Sequence, residues 1–259
     1  MIANYHTHTY RCGHAEGDVR DYVEEAVSRG LRILGFADHT PYDFYDRGPQ
    51  SRRIRMIPEE LPGYADAVRA LAEEYRGKLE IHLGVEAEYY PKYFSRLMEL
   101  LRGSGVEYMI LGQHFLANEV EGLYCGIPTE DAEALKHYVD QSIEGLRTGI
   151  FTYFAHPDLF RYTGSDEIYA QEMGRLCRAA RETETLLELN LLGISEGRHY
   201  PDERFWQAAA REGNEVILGC DAHQPRRVTD PESEAKALRM AERLGLKLIR
   251  QVPLRRLDR

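Results

Sequence analysis

Apolar positions along this chain follow two rhythms, short runs with a period of two and longer stretches with a period near 3.6, and the two alternate from one end to the other. Ile2 to His6 reads as a strand. Asp18 then caps a helix to about Arg29, with Val19, Tyr22, Val23, Ala26 and Val27 at helical spacing and Gly30 as its stop. Further strands are predicted at Leu31 to Ala37, Leu79 to Ala87, Tyr108 to Gln113, Phe151 to Ala155, Leu186 to Leu191 and Glu215 to Gly219. Between them fall helical stretches at Pro58 to Arg76, Pro91 to Leu101, Thr129 to Arg147, Ile168 to Glu182 and Pro201 to Arg211. A last helix, Pro231 to Leu244, leads to a short extended Lys247 to Val252 and a basic tail.

Seven strands alternating with helices predict an α/β fold of parallel strands joined by right-handed crossovers. No Gly-x-Gly-x-x-Gly follows the first strand, and polar residues recur at nearly every strand end, which favours a closed barrel over an open doubly wound sheet. Without a further repeat or a low-complexity linker, residues 1–259 read as a single domain.

Composition bounds the function rather than the fold. At 43% hydrophobic and 29% charged the chain is that of an ordinary soluble protein, and no apolar run approaches the length needed to cross a bilayer. The start at Ile2 lacks the basic, apolar and cleavage segments of a secretory signal, so a cytoplasmic location is expected. Cys12, Cys125, Cys177 and Cys220 lie far apart, the spacing of reduced thiols. A net charge of -10 argues against nucleic acid as a partner, which needs a basic face, but leaves room for a local anion site.

The strand ends carry the chemistry. His6 and His8 sit two apart and project to the same face, a chelating pair. A lone His-x-His is ordinarily a pair of surface residues, but this one has company. His14, Glu16 and Asp18 follow in the first loop; later strands end at Asp38-His39, Gly84-Val85-Glu86, Gly112-Gln113-His114, His156-Pro157-Asp158 and Gly219-Cys220-Asp221-Ala222-His223. By parity Gly84, Gly112 and Gly219 share faces with Glu86, His114 and Asp221 and leave room in a crowded interior. Seven of ten histidines, with Glu86 and Asp221, thus converge on one end of one barrel. So many imidazoles would each need a proton-bearing partner, and nearby acids are too few; divalent ions satisfy them together. Nine ligands exceed one ion's needs, which points to two or three metals with open positions.

Taken in order, His6-Thr7-His8-Thr9, Asp38-His39, Gly84-Val85-Glu86, His114-Phe115, His156-Pro157-Asp158 and Asp221-Ala222-His223 resemble the PHP family, named for polymerase and histidinol phosphatase, and within it the monofunctional histidinol-phosphatases. The resemblance covers nearly the whole chain. It implies a distorted seven-stranded (β/α)7 barrel with a trinuclear site: His6, His8, Glu86 and Asp221 for one metal, Glu86, His114 and His156 for a second, His14, His39 and His223 for a third. It extends to Asn190 and the loop ending in Arg198, and to Arg161; two arginines so placed are implied to hold phosphate. Glu88 and Glu188 fall near the pattern without an assigned role.

The mechanism expected is hydrolysis of a phosphate monoester, with a metal-bridging hydroxide held by Glu86 and Asp221 attacking phosphorus in line while Arg161 and Arg198 neutralise the equatorial oxygens. Asp158, Glu88, His199 and a metal-bound water all stand as donors to the leaving group. Asp38 and Asp158 are expected to orient neighbouring imidazoles or to cap helices. L-histidinol phosphate, and with it histidine biosynthesis, is the substrate the resemblance implies. Phosphotyrosine, nucleotides or another small phosphate ester are the alternatives within the family. An amidohydrolase would want a bridging lysine where the fourth strand offers His114, and a non-catalytic metal-binding module would show substituted ligands. Zinc, manganese and iron all suit nitrogen-rich ligation. His82, about 13 Å deeper than Glu86 at strand rise, reads as core, and His137 as helix surface. Cys12 and Cys220 do not read as nucleophiles, and the basic loop Arg47 to Arg55, with Arg52 and Arg53, reads as a solvated lid.

Overall fold

Strands pair in the order in which the chain makes them. In the computed structural model, which describes residues 1–42 and 54–257, β1 (Ala3–Asn4), β2 (Ile33–His39), β3 (Glu80–Ala87), β4 (Tyr108–Leu111), β5 (Phe151–Phe154), β6 (Leu186–Asn190), β7 (Glu215–Gly219) and β8 (Lys247–Leu248) form one sheet in sequence order. Every pairing is parallel. The sequence predicts seven strands, and the structure has eight. The additional one is the short extended stretch, whose Lys247 and Leu248 pair with Glu215 and Val216.

The sheet curls into a barrel that closes at one end. There His8 N donates to Ala222 O (2.9 Å) and Ala222 N to His6 O (3.1 Å), a parallel bridge between the continuations of β1 and β7. At the opposite end β8 and the tail come between them, and Val252 packs inside with Ala3, Tyr5 and Ile33. The same bridge that completes the barrel therefore brings His6 and His8 beside Asp221.

Helices α1 (Val19–Ser28), α2 (Leu61–Glu74), α3 (Phe94–Leu101), α4 (Ala132–Arg147), α5 (Asp166–Glu182), α6 (Leu191–Glu196), α7 (Glu203–Glu212) and α8 (Pro231–Leu244) follow the strands. Their starts are set by side-chain caps that periodicity does not resolve. Asp131, Ser165 and Asp202 accept from first-turn amides, placing three starts two or three residues from those predicted. The short α6 was not predicted. Asn190, the last residue of β6, turns the chain straight into it by accepting from Gly193 N (2.9 Å).

The outward faces of the strands, with Phe36, Val85, Leu111 and Phe154, pack against Tyr22, Tyr64, Tyr138 and Trp206 in the larger core. The inward faces form a second core beneath the site, centred on Tyr108, Ile110 and Tyr153. Gly35 and Gly84 admit Tyr108: a Cβ on either would lie 2.2 or 2.3 Å from its side chain. Its hydroxyl lies 2.7 Å from Tyr5 O and 3.1 Å from Phe36 O, so this phenol is buried with its polar atom bonded. No helix among the described residues is long and apolar enough to cross a membrane.

Candidate metal centre

The nine residues marked in the sequence meet at the mouth of the barrel. His6 and His8 are wholly buried, Glu86 is 1% and Asp221 5% exposed, and His14 is exposed at the rim. Two of them are aimed by the backbone. His156 and Asp221 adopt φ of +34° and +49°, the left-handed region that non-glycine residues enter at a cost, so the chain turns sharply as each side chain enters the mouth. Glycines make the necessary room: a Cβ at Gly112 would lie 1.8 Å from Glu86, and one at Gly219 would lie 2.1 Å from Glu188.

Donor atoms approach one another without bonding. His6 Nε2 and His8 Nε2 lie 3.3 and 3.4 Å from Glu86 Oε2, and 3.5 and 3.2 Å from Asp221 Oδ1. A tetrahedral zinc with bonds of about 2.0–2.1 Å sets its ligands about 3.3 Å apart, so this spacing fits a cation at the centre. His6 Nε2, both nitrogens of His8, His39 Nδ1 and Glu86 Oε2 are buried and make no hydrogen bond. Left that way, each costs about 1–3 kcal/mol. A cation among His6 Nε2, His8 Nε2 and Glu86 Oε2 would remove the cost for those three atoms, and one at His39 Nδ1 for that nitrogen, whereas His8 Nδ1 faces Asp38 Oδ1 at 3.9 Å instead.

On its other oxygen, Glu86 Oε1 faces His156 Nε2 (3.0 Å) and His114 Nε2 (3.7 Å), so the carboxylate spans two positions. His39 Nδ1 stands 3.1 Å from Glu86 Oε2, with its ring 5.4 Å from that of His14. At the rim, His14 Nδ1 and His223 Nδ1 face the carbonyls of Cys12 (3.0 Å) and Asp221 (2.9 Å), which can only accept. Both protons therefore sit on Nδ1, and two Nε2 lone pairs point at each other across 3.0 Å. Only a cation or a shared proton makes that arrangement favourable.

Carboxylates behind the imidazoles orient them. Glu188 Oε2 accepts from His6 Nδ1 (2.8 Å) and is itself held by Asn190 Nδ2 (2.7 Å), while Glu88 Oε1 accepts from His114 Nδ1 (3.1 Å). Burial alone would lower His6, but Glu188, Asp221 and Glu86 outweigh it and hold it well above its usual range. His114 is raised in the same way, against burial, by Glu86 and Glu88. Burial and the neighbouring His223 instead push His8 down to about 3 and His14 to about 4. Burial opposes ionisation of Glu86, yet His39, His6, His114 and His156 hold it well below the carboxylate range. Without a metal, protons on some imidazoles supply the positive charge this centre is built to hold.

Other expected roles fall out differently. Asp38 accepts from Thr9 N (2.8 Å) and Thr9 Oγ1 (2.5 Å), and the imidazole it approaches is His8 (3.9 Å) rather than His39. Asp158 does not orient His156, whose Nδ1 has no partner; it accepts from Asp202 N (2.7 Å) and Trp206 Nε1 (2.9 Å), tying the loop after β5 to the start of α7. The cavity over the site, about 730 Å3, is lined by Arg198 but not by Arg161, which is exposed outside it. Arg47, Arg52 and Arg53 lie outside the described residues. Arg55 is not part of a solvated lid, being 2% exposed and paired with Glu88 and Glu119. Glu188 is the residue to which sequence reasoning gave no role; its signal was inward parity with Asn190 opposite Gly219. All four cysteines are buried free thiols.

Comparison with known proteins agrees with this architecture. The model of the PHP domain matches residues 4–191. A probable histidinol-phosphatase from Deinococcus radiodurans is 30% identical over 244 residues, 88% of this chain and 88% of that protein. The histidinol-phosphatase of Bacillus subtilis is 27% identical over 250 residues, 85% of this chain and 92% of that protein. In fold, the chain resembles the crystal structure of histidinol phosphate phosphatase from Lactococcus lactis complexed with zinc, L-histidinol and phosphate, at a TM-score of 0.74 and 21% identity, covering 96% of this chain and 95% of that one. The chain belongs to the PHP domain family.

Proposed function

We propose that this PHP-type phosphatase hydrolyses L-histidinol phosphate to L-histidinol and phosphate, with two to three divalent cations held in the barrel mouth. The observation that carries the reading is the set of buried, unbonded donor atoms on His6, His8, His39 and Glu86, arranged at ligand-to-ligand spacing. His6, His8, Glu86 and Asp221 would hold one cation, Glu86, His114 and His156 a second, and His14, His39 and His223 a third. Bound divalent cations supply Lewis acidity, activating water and neutralising charge on phosphorus oxygens. Zinc, manganese and iron are the metals this donor set suits.

The chain's own residues do the rest. Arg198 lines the cavity, and its planar fork, held by Tyr200 Oη (2.7 Å) and Glu196, suits two phosphate oxygens at once. Phe115, Tyr124, Leu159 and Leu192 give the cavity an apolar wall against which the alcohol portion can lie. No side chain named as a candidate donor serves the leaving group. Burial pushes Asp158 up to about 7, but it is committed to Trp206 and does not line the cavity. His199 donates its Nε2 proton to Leu159 O (2.7 Å) and does not line it either. Glu88 lines it, but against burial Arg55 and His114 together lower it to about 2, so it carries no proton at neutral pH. Solvent in the cavity is the proton source that remains.

The choice of histidinol is supported by the names of the relatives, since the cluster itself serves any ester the loops admit. Phosphate release from L-histidinol phosphate, phosphotyrosine and a nucleotide should be measured on one preparation, with its metal content and a chelated control. Chelator-sensitive release fastest from L-histidinol phosphate is the expected result. Preference for either competitor would overturn the substrate, and release unaffected by chelation would overturn the metal reading.

A further inference from the structure

Arg55 lines the cavity and yet is 2% exposed, an unusual place for a guanidinium beside a centre built for cations. Its Nη1 and Nη2 meet both oxygens of Glu88 (3.1 and 2.9 Å), its Nε meets Glu119 Oε2 (2.9 Å), and Nη1 also donates to Thr40 O (3.1 Å). These partners come from three segments: Thr40 follows β2, Glu88 follows β3, and Glu119 lies in the loop after β4, the strand that leads to His114. Desolvating such a group is costly, and a buried ion pair is weak evidence for stability as such. What it does provide is direction. A carboxylate gripped by a fork can only accept, so Glu88 Oε1 takes the Nδ1 proton of His114 (3.1 Å) and leaves the Nε2 lone pair turned towards Glu86.

We propose that Arg55 is a positioning residue for cation binding at Glu86, His114 and His156: by clamping Glu88 it sets the tautomer and ring orientation of His114. The inference rests on the metal reading above. It assigns to Arg55 a role that a flexible ammonium could fill only in part, because one Lys head cannot engage both Glu88 oxygens and Glu119 in a plane.

The test is zinc content and chelator-competition affinity of the purified full chain, comparing wild type with H114A, R55M, R55K and E88Q. R55M and E88Q are expected to lose the position that H114A loses, with zinc there weakened roughly 10- to 100-fold and the other positions unchanged. R55K should fall between them and wild type. Nitrogen-15 NMR of the metal-stripped protein, recorded at a pH high enough to leave His114 neutral, should give its Nδ1-protonated tautomer in wild type and a mixture in E88Q. Wild-type affinity in R55M and E88Q, alongside a loss in H114A, would overturn the proposal while leaving the metal centre standing. Wild-type content in H114A would instead remove the metal reading and this inference with it. If R55M does not fold, E88Q decides alone, and unchanged affinity and tautomer in that variant overturn the idea.

Discussion

His82 and His8 both point into the barrel, one towards each end, and their ring nitrogens are treated in opposite ways. At the floor, His82 Nδ1 meets Glu107 Oε2 (3.1 Å) and Nε2 meets Glu80 Oε1 (2.9 Å), with Tyr5 stacked at 6.3 Å. At the mouth, both nitrogens of His8 are buried and unbonded. The floor is sealed by Val252 and Tyr108, so the ring nitrogens of His82 must find their partners within the protein during folding. The mouth is open, and its orphaned atoms are affordable because a ligand can arrive after folding. Satisfaction, more than residue type or burial, separates a structural histidine from one awaiting a ligand.

The most damaging way to break this contrast is Glu86→Ala. Because one carboxylate faces His6, His8 and His39 through Oε2 and His156 through Oε1, two metal positions should empty together and phosphate release should fall on the order of 10³-fold or more. Full metal content by mass spectrometry in that variant would contradict the shared position.

Next in size is Arg198→Ala, expected to lower kcat/KM about 100-fold with metal content unchanged. Arg161→Ala, outside the cavity, should stay within about twofold of wild type. Equal losses in steady-state assays would mean that phosphate sits further out than Arg198.

A smaller effect should appear on metal titration. In the metal-free protein His6 and His114 are raised and hold protons near neutrality, whereas His8 and His14, at about 3 and about 4, do not. Protons on His6 and His114 must leave as metal enters, so affinity should rise with pH above about 6.5 and weaken on acidification. Calorimetry at pH 7 in two buffers of different ionisation enthalpy should detect proton release; buffer-independent heats would refute it.

The smallest effect is predicted at the floor. His82→Leu should cost about 1–2 kcal/mol of stability in denaturant unfolding, with metal content unchanged and activity within about twofold. Loss of metal in that variant would show that the two ends are not independent.

Much of this was readable in advance. Alternation located the seven main strands to within about two residues, and parity placed Glu86, His114 and Asp221 over glycines, of which Gly112 and Gly219 make room at the mouth and Gly84 admits Tyr108 beneath it. Misplaced features share one cause: a long-range partner overrode a local signal. Asp158 sits beside His156 in sequence but finds Trp206, 48 residues on. Arg55 looks like part of a basic surface loop, yet Glu88 and Glu119 draw it inside. Asn190 reads as a strand end and acts as a helix cap.

Strand order, the face each side chain takes and the gathering of nine candidate ligands at one end follow from local periodicity, because the pleat and the crossover rule act over few residues. Folding in three dimensions settled the rest. It determined which oxygen of Glu86 faces which imidazole, which ring nitrogen is left without a partner, and which arginine reaches the cavity. Those outcomes depend on contacts between residues 70 to more than 200 positions apart, such as His156 with Glu86 and His223 with His14, and no window along the chain contains both partners.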